Sequence, residues 1–515
     1  MSEAVATRAD GAAERPIRFT YAFAKENGVL YLGLGDDGRG VVGIRSQTDG
    51  SMKTDPWALA EAYRATGGNI DVEQLPADVF ERKLSEIYSS EGLTAATFDD
   101  AAGGHDLTEL AEGLPTTADL LDTEDDAPII RLINALIAEA VKTRASDIHI
   151  EPYEGALSVR LRIDGVLREI LSLPAKLTPV LTSRVKVMAR LDIAETRVPQ
   201  DGRISLSMGG KLVDVRVSTL PSRFGERLVM RLLDKEQAQL DLDTVGMPPA
   251  ILGRFKQVLK RPNGIILVTG PTGSGKTTTL YGALSLLNDP GVNILTVEDP
   301  VEYALDGIGQ TQVNAKVGMS FATGLRAILR QDPDIVMVGE IRDKETAQIA
   351  VQASLTGHLV LSTVHTNSAV GAVTRLRDMG VEPFLLSSTI ASVLAQRLVR
   401  RLCQSCREPR HASAAEKAMM GMVADETIVV YEPKGCARCN GIGYEGRVGI
   451  YELIVADDTF RKLVHDDASE QAMKAHAFAA SNAPTLAETG FAHVLDGVTS
   501  LSEVLRVVQE KEGQE

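Results

Sequence analysis

The segment with the most specific spacing for chemistry reads GPTGSGKT, from Gly270 to Thr277, and fits the pattern GxxxxGK[ST]. An aliphatic run, Gly264–Thr269, precedes it and a helical pattern follows it. The glycines let several backbone N–H groups point at one phosphate chain, and the helix N-terminus adds a partial positive charge there. Lys276 can then reach the β- and γ-phosphates, while the hydroxyl of Thr277 ligates Mg²⁺. We predict a nucleoside triphosphate site formed by Gly270, Pro271, Thr272, Gly273, Ser274, Gly275, Lys276, Thr277 and Thr278.

Such a loop needs a carboxylate from a neighbouring strand, and two segments offer one. After the apolar run Ile335–Val338 the Asp that many nucleotide hydrolases carry is absent, because Gly339 stands there and Glu340 follows. This segment therefore lacks the aspartate that commonly places Mg²⁺, but it keeps Glu340, which can orient the attacking water. The second segment begins at Glu298, after the apolar run Asn293–Val297. It would lie at the carboxyl end of a parallel strand, where ligands bind, and a solvated acidic turn is the alternative.

Two histidines, His358 and His365, flank the apolar run Leu359–Val364. A histidine directly after a core strand can sense the γ-phosphate or hold a water molecule in line. A structural role is the alternative, and it is the stronger one for His358. Arginines can stabilise the charge that spreads over the phosphoryl oxygens in the transition state, with surface salt bridging as their alternative. The candidates are Arg216, Arg223, Arg227, Arg231, Arg326, Arg330 and Arg342.

All four cysteines of the chain fall into two CxxC pairs, with 29 residues between the pairs. Each pair can offer two thiolates to one ion, and four thiolates suit tetrahedral Zn²⁺ at about 2.3 Å. Because every sulfur would be engaged, the metal is expected to be structural. The spacing leaves a redox CxxC pair and an iron–sulfur cluster open as alternatives. The predicted metal ligands are Cys403, Cys406, Cys436 and Cys439.

Length and composition limit the kind of protein that carries these sites. The chain has 515 residues, of which 44% are hydrophobic and 24% charged, as in soluble globular proteins. At about 100–200 residues per domain, it should form three or four domains. The net charge of −16 argues against a general nucleic-acid coat. No apolar run approaches the roughly 20 residues that span a bilayer, and the N-terminus lacks the apolar core of a secretory signal. We expect a cytosolic protein that reaches a membrane only through a partner.

Composition and periodicity divide the chain into segments. Short aliphatic strands alternate with helical stretches over residues 250–400, which predicts a parallel sheet covered on both faces. Residues 129–240 open with an amphipathic helix and continue as strands, with a hairpin turn at Asp164-Gly165. Between Lys83 and Arg131 there is no Lys or Arg but there are twelve acidic residues, which indicates an acidic linker. The predicted segments are a docking domain (1–90), the acidic linker (91–128), an α+β lobe (129–240), a P-loop core (241–400), a tetracysteine module (401–445) and a helical C-terminus (446–515).

Several motifs together resemble the cytoplasmic secretion ATPases, and among them the E-subunit ATPases of type II secretion systems, close kin of the type IV pilus assembly ATPases. The resemblance covers about residues 129–510. After the P-loop come the family's Asp box at Glu298–Glu302, a Walker B motif ending in Gly339–Asp343 and a His box at Gly357–Thr366. The other matching stretches are Ser146–Pro152, Arg162–Gly165, Gln200–Arg203, Gly225–Arg227 and Cys436–Arg447.

The resemblance implies an α/β fold class, with a RecA-like P-loop core, a preceding PAS-like α+β domain, a small zinc module and a helical C-terminus. In that family a glycine is usual at the position of Gly339, so its presence favours membership. The resemblance further implies a homohexamer that binds ATP with Mg²⁺ in a cleft between two domains and carries Zn²⁺ in the cysteine module. The catalytic residues that it implies are Lys276, Glu340, Glu298, His365, Arg216 and Arg231.

Among these, Glu340 would activate water and Glu298 would assist it, while Arg216 and Arg231 would reach the nucleotide from the preceding domain. Arg326, Arg330 and Arg342 would matter for activity or assembly. Closure of the two domains on ATP would drive an inner-membrane platform that adds pilin-like subunits and so pushes folded proteins across the outer membrane. The N-terminal domain would dock on the cytoplasmic domain of a platform protein, with acidic lipid as a further contact.

Other functions compete with the secretion motor. A type IV pilus assembly ATPase is the nearest, because it shares the tetracysteine motif, whereas pilus retraction ATPases lack that module. A nucleic-acid motor would need a basic, aromatic-lined groove, yet aromatic residues are 4% of the chain and the net charge is −16. A scaffold that binds nucleotide without hydrolysis is disfavoured by Lys276, Glu340 and the arginines. We therefore expect no nucleic-acid partner.

Overall fold

The structure is a computed structural model of the chain. It describes residues 127–509 except 209–210, 235–240, 424 and 481–482, together with parts of 19–83 and with Leu107 and Leu110. The chain forms two compact units, Met1–Glu236 and Gln237–Glu515. Most of the predicted acidic linker lies outside the described residues. Leu107 and Leu110 are helical and pack against the core of the first unit.

The first unit begins with a small sheet of three strands in the order β1-β2-β3. Strands β1 and β2 are antiparallel, and β3 is parallel to β2. A parallel pair cannot be closed by a tight turn, so the chain crosses over through a helix, α1. The core of this sheet contains Leu30, Ile44 and Phe80, and Val187 from the following domain packs against it. The elements are β1 (Val29–Leu34), β2 (Gly40–Arg45), α1 (Pro56–Ala65) and β3 (Ile70–Leu75).

The larger sheet of the first unit has six strands, all antiparallel, in the order β6-β5-β4-β9-β8-β7. The predicted turn joins β5 to β6, with φ of 48° at Asp164 and 85° at Gly165, as a two-residue hairpin loop requires. The helices α2 and α3 pack against one face of the sheet. The elements are α2 (Ala127–Lys142), β4 (Ala145–Pro152), β5 (Ala156–Ile163), β6 (Val166–Pro174), α3 (Thr178–Met188), β7 (Gln200–Met208), β8 (Lys211–Ser222) and β9 (Gly225–Asp234).

The second unit is built on a sheet of seven strands in the order β12-β11-β13-β14-β10-β15-β18. Six of the strands are parallel, and β18 is antiparallel to β15 at one edge. Alternate residues of β10 belong to two different cores, because Ile265 and Leu267 face one layer and Ile266 and Val268 the other. The strands are β10 (Gly264–Thr269), β11 (Ile294–Glu298), β12 (Gly309–Gln312), β13 (Ile335–Val338), β14 (Leu359–Val364), β15 (Ile390–Leu402) and β18 (Tyr444–Val455).

Helices cover both faces of this sheet, as the sequence predicts for a parallel sheet. Several begin at a side-chain cap: Asp343 accepts from the backbone N–H of Thr346, and Ser368 from that of Gly371. The helices before the cysteine module are α4 (Pro249–Leu259), α5 (Lys276–Leu287), α6 (Phe321–Ile328), α7 (Lys344–Leu355), α8 (Ala369–Asp378) and α9 (Pro383–Thr389).

The cysteine module is inserted between β15 and the edge strand β18. It contains a two-stranded antiparallel ladder and one short helix. Its elements are β16 (Arg407–His411), α10 (Ala414–Met419) and β17 (Val429–Pro433), and the helices after β18 are α11 (Asp458–His465), α12 (Glu470–Lys474), α13 (Leu486–Leu495) and α14 (Leu501–Gln509).

The predicted helical C-terminus is confirmed by α11 to α14, but the helices begin later than residue 446, because β18 continues to Val455. The pattern also does not predict the 13-residue strand β15. A continuous apolar run can be a buried strand or a buried helix, and only pairing with other strands decides between them. In the part of the chain that the structure describes, no helix is both long and apolar enough to cross a bilayer.

Candidate functional site

The predicted phosphate loop lies between β10 and α5 and turns at its glycines. Gly270, Gly273 and Gly275 have φ of 149°, 78° and 88°, values that side-chain-bearing residues rarely adopt. A Cβ on Gly270 would lie 2.4 Å from the carbonyl oxygen of Gln396. Helix α5 begins at Lys276, immediately after the loop. The segment therefore has the strand–loop–helix form that phosphate binding at a helix N-terminus requires.

The ammonium group of Lys276 lies over the loop. Its Nζ donates to the carbonyl oxygens of Gly270 at 2.8 Å and Pro271 at 3.1 Å. Burial lowers the pKa of Lys276 to about 8, although the negative charge of Glu340 opposes the shift. Lys276 is thus a partly desolvated cation at the position where a P-loop lysine meets phosphate.

Gln396, on β15, fixes the loop from the neighbouring strand. Its Nε2 donates to the carbonyl oxygen of Ser274 at 2.7 Å, and its Oε1 accepts from the hydroxyl of Thr279 on α5 at 2.8 Å. All three side chains are buried. Sequence reasoning missed this residue because 122 positions separate it from Ser274. No local pattern marks such a contact.

Glu340 and His365 meet at the carboxyl ends of β13 and β14. The distance between His365 Nε2 and Glu340 Oε2 is 3.3 Å, and the Arg342 guanidinium forms an ion pair with the other oxygen. Burial, and next the Lys276 cation, lower the pKa of His365 below its usual value. The His365 side chain is 47% exposed, and that of Glu340 is 11% exposed. The structure thus brings Lys276, Glu340 and His365 to one edge of the sheet.

Glu298 is buried beside this group, at the end of β11. Its carboxylate accepts from the Tyr281 hydroxyl, the Thr296 hydroxyl and Gln310 Nε2. Burial, followed by the bond to Glu298, raises the pKa of Tyr281 well above its usual range. The residue is therefore a fixed buried carboxylate and not the side chain of a solvated acidic turn.

The other histidine candidate lies elsewhere. His358 precedes β14, at the opposite end of that strand from His365, and its Nδ1 lies 2.8 Å from the carbonyl oxygen of Ala353. This placement supports the structural interpretation of His358. Of the core arginines, Arg326 pairs with Glu345 at 2.5 Å, and Arg330 Nη1 donates to the carbonyl oxygen of Arg326 at 2.9 Å.

The arginines predicted to come from the preceding domain lie on neighbouring strands of the six-stranded sheet. Arg231, on β9, donates through Nε to Asp147 at 2.9 Å and keeps a half-exposed side chain. The Nη2 of Arg216, on β8, lies 3.9 Å from the Oδ1 of Asp201. Asp147 lies on β4. Because side chains alternate along a strand, its neighbour Ile148 points to the opposite face of the sheet and packs in the core. The sheet therefore has one apolar face and one face that carries these arginines.

The four cysteine sulfurs form one cluster. All lie within 4.8 Å of one another, with Sγ–Sγ distances of 3.9 Å for Cys403–Cys436 and 3.7 Å for both Cys406–Cys439 and Cys436–Cys439. Tetrahedral Zn²⁺ with bonds of about 2.3 Å separates its sulfurs by about 3.8 Å, so the donor set fits this ion.

The backbone around Cys439 favours its thiolate. The N–H groups of Cys436 and Gly443 donate to Cys439 Sγ at 3.2 Å and 3.1 Å. Burial alone would raise the pKa of Cys439, but these donors, together with the Cys436 and Cys406 thiols, lower the pKa to about 6. Burial instead raises the pKa of Cys406 to about 12, so the first proton of the cluster leaves from Cys439. Hydrogen bonds to ligating sulfur are the usual surroundings of a structural metal site.

The comparisons with known proteins decide the family. Residues 122–506 match the type II/IV secretion system protein family, and residues 18–88 match an N-terminal domain of GSPII protein E. The type II secretion system protein E of Pseudomonas aeruginosa is 54% identical over 497 residues, which cover 96% of this chain and 97% of that one. The chain belongs to the type II secretion system protein E family. It is a P-loop ATPase of that family.

A second relative agrees with this assignment, and one solved structure shares the fold. The type II secretion system ATPase E of Vibrio cholerae is 57% identical over 455 residues, which cover 88% of this chain and 90% of that one. The X-ray structure of the Legionella pneumophila ATPase DotB matches with a TM-score of 0.54 and 20% identity, over 73% of this chain and 95% of that one. This likeness shows a shared fold. The predicted α/β P-loop fold is confirmed, and the comparisons do not favour a pilus assembly ATPase.

The lowered pKa of Lys276 predicts a pH dependence of nucleotide affinity in this family member. Triphosphate stabilises the charged lysine, so its pKa is higher in the complex than the value of about 8 in the free protein. Affinity is therefore expected to fall by about twofold between pH 7 and 8 and by up to about tenfold per pH unit above pH 8, until the pKa of the lysine in the complex is reached. Titration with a fluorescent ATP analogue between pH 7 and 9.5 measures this. Lys276→Ala should bind weakly without that dependence, and a constant wild-type affinity up to pH 9.5 would contradict the prediction.

Proposed function

We propose that this ATPase hydrolyses ATP at the carboxyl ends of β10, β13 and β14 and uses the free energy to drive type II secretion. The observation that carries the proposal is the meeting of Lys276, Glu340 and His365 at that edge of the sheet. A cation for the phosphates and a carboxylate that orients the attacking water promote water attack on a γ-phosphate, and here the half-exposed imidazole of His365 lies beside that carboxylate.

The residues would divide the chemistry as follows. Lys276 binds the β- and γ-phosphates, and Thr277, exposed at the start of α5, would hold Mg²⁺ with Thr278 beside it. When bound there, Mg²⁺ would supply positive charge against the negative charge that develops on the phosphates. Glu340 orients and deprotonates the attacking water, and His365 fixes the carboxylate of Glu340. Glu298, held by its three donors, would assist by keeping its strand end in place.

Two further groups complete the proposal. Arg216 and Arg231 would stabilise the charge on the phosphoryl group; supporting this, Arg231 bonds Asp147 through Nε and keeps a half-exposed side chain. The sulfurs of Cys403, Cys406, Cys436 and Cys439 would hold Zn²⁺ as a structural ion, because four thiolates leave no open coordination position. Arg326, Arg330 and Arg342 would matter for activity or assembly.

The working form would be a cytoplasmic homohexamer, peripheral on the inner membrane. The match of residues 18–88 to an N-terminal domain of GSPII protein E supports docking of this part of the chain on the cytoplasmic domain of an inner-membrane platform protein, with acidic lipid as a further contact. Movement of the α+β lobe and the P-loop core when ATP binds would drive pseudopilus assembly and export of folded proteins across the outer membrane.

Glu340→Gln tests the catalytic part of the proposal. The amide cannot accept the proton of water, so kcat for ATP hydrolysis should fall by about 10²–10⁴-fold while ATP still binds. Phosphate release by the purified protein and complementation of a secretion-deficient strain measure the two effects. The control is Glu382→Gln, an exposed glutamate at the start of α9. Full turnover by Glu340→Gln, or normal secretion without turnover, would refute the proposal.

A further inference from the structure

Two buried charged residues far from the P-loop in sequence contact the segment that carries His365. This segment, His365–Ala369, leads from β14 into the first residue of α8, and we call it the histidine segment. Thr366 joins it to the P-loop strand: its N–H donates to the hydroxyl of Thr269 at 3.1 Å, and the two hydroxyls are 2.6 Å apart. Thr269 is the last residue before Gly270. The histidine segment is therefore connected to both the P-loop and Glu340.

Glu452, on β18, holds the far end of this segment. It is 5% exposed, and its Oε1 accepts from the backbone N–H of Ala369, the first residue of α8, at 2.9 Å. Its other oxygen accepts from the N–H of Leu486, the first residue of α13, at 3.4 Å. One carboxylate thus bonds the N-termini of two helices, where unpaired N–H groups and the helix dipoles favour negative charge.

Arg397, on β15, holds the middle of the segment. It is 8% exposed, its Nη2 lies 3.2 Å from Asn367 Oδ1, and its Nη1 donates to the carbonyl oxygen of Val507 on α14 at 3.0 Å. Side chains alternate along a strand, so Arg397 and its neighbour Gln396 face opposite sides of the sheet. Gln396 fixes the P-loop on one side while Arg397 fixes the histidine segment on the other.

We propose that Glu452 and Arg397 are positioning residues of the ATPase site, which hold His365 against Glu340 by tying the histidine segment to the C-terminal helices α13 and α14. The proposal rests on the proposed role of His365 and Glu340 in hydrolysis. Neither residue touches the reacting atoms. Burial raises the pKa of Glu452, so the carboxylate depends on its two N–H donors and on the nearby Lys474 and Arg397 cations for its charge.

Glu452→Gln tests the proposal, because it keeps the size of the side chain but can accept only through one oxygen. We expect kcat for ATP hydrolysis to fall between about 10-fold and 100-fold, as when a catalytic group is displaced slightly. The KM for ATP should change less than about twofold, because Gln396 fixes the P-loop independently. Steady-state phosphate release by the purified full chain measures kcat and KM, and thermal unfolding of the same protein measures Tm.

Glu226→Gln is the matched control. Glu226 is also a buried glutamate, it pairs with the buried Lys186 at 3.0 Å, and both residues lie in the first unit, whereas the histidine segment lies in the second. Glu226→Gln should lower Tm and leave kcat within about twofold of wild type. If Glu452→Gln changes Tm, kcat and KM only as Glu226→Gln does, the role of Glu452 is structural and the proposal is overturned.

Asn367→Ala provides a second variant if Glu452→Gln does not fold. Asn367 is exposed, so the change removes one Arg397 contact without touching the core, and kcat should fall about threefold to tenfold at unchanged KM. Wild-type kcat in this variant would overturn the proposal. A wild-type protein without any turnover would instead refute the proposed hydrolysis itself, which separates the two failures.

Discussion

Lys276→Ala is expected to lower kcat for ATP hydrolysis by about 10³-fold or more and to abolish secretion with it. The Nζ of Lys276 lies over the P-loop, 2.8 Å from the carbonyl oxygen of Gly270. Alanine leaves the phosphates without that cation, and the transition state with uncompensated charge. Steady-state phosphate release, at ATP concentrations well above the wild-type KM, and export of a folded substrate in a complemented strain measure the two effects.

Lys462→Ala is the control for that experiment, since this lysine is exposed on α11, outside the nucleotide site. It should hydrolyse ATP at the wild-type rate. Retained turnover by Lys276→Ala would mean that ATP is hydrolysed elsewhere in the chain. Loss of secretion together with loss of turnover would tie the transport step to this loop.

Cys403→Ser is expected to remove the metal and destabilise the cysteine module. The apparent free energy of structural Zn²⁺ binding in small zinc-finger peptides is about 10–16 kcal/mol, and it is folding free energy because the site does not exist in the unfolded chain. Cys403 is buried, and its N–H donates to the carbonyl oxygen of Gly443. Because Gly443 lies next to the second CxxC pair, loss of structure around Cys403 should also disturb that pair. Elemental analysis should find about one zinc per wild-type chain and almost none in the variant, and thermal unfolding should begin at a lower temperature.

Ser405→Ala is the matched control, because Ser405 lies between the first two cysteines and offers no ligand in the cluster. It should retain both the zinc and the thermal stability of the wild type. If the wild-type protein contained no metal after purification without chelators, the interpretation of the cluster as a zinc site would be wrong. An iron–sulfur cluster would instead appear as iron, inorganic sulfide and visible absorbance.

Local patterns in the sequence were enough to predict those parts of the protein that depend on neighbouring residues. The pattern of Gly270–Thr277 fixed the phosphate loop, and the aliphatic runs at Gly264–Thr269, Ile335–Val338 and Leu359–Val364 have the bounds of β10, β13 and β14. The two CxxC pairs predicted a cluster whose sulfurs lie within 4.8 Å of one another. Each of these signals lies within a few residues, where backbone sterics and side-chain periodicity act.

The residues that reach the site from distant parts of the chain are known from the assembled fold and not from local patterns. The order of the strands places β15 beside β10, and this brings Gln396 to the P-loop and Arg397 to the histidine segment. The antiparallel edge strand β18 brings Glu452 to the start of α8. These contacts join residues far apart in the chain, and their free energy comes from burial and pairing that exist only when the sheet is assembled. A local pattern does not carry that information.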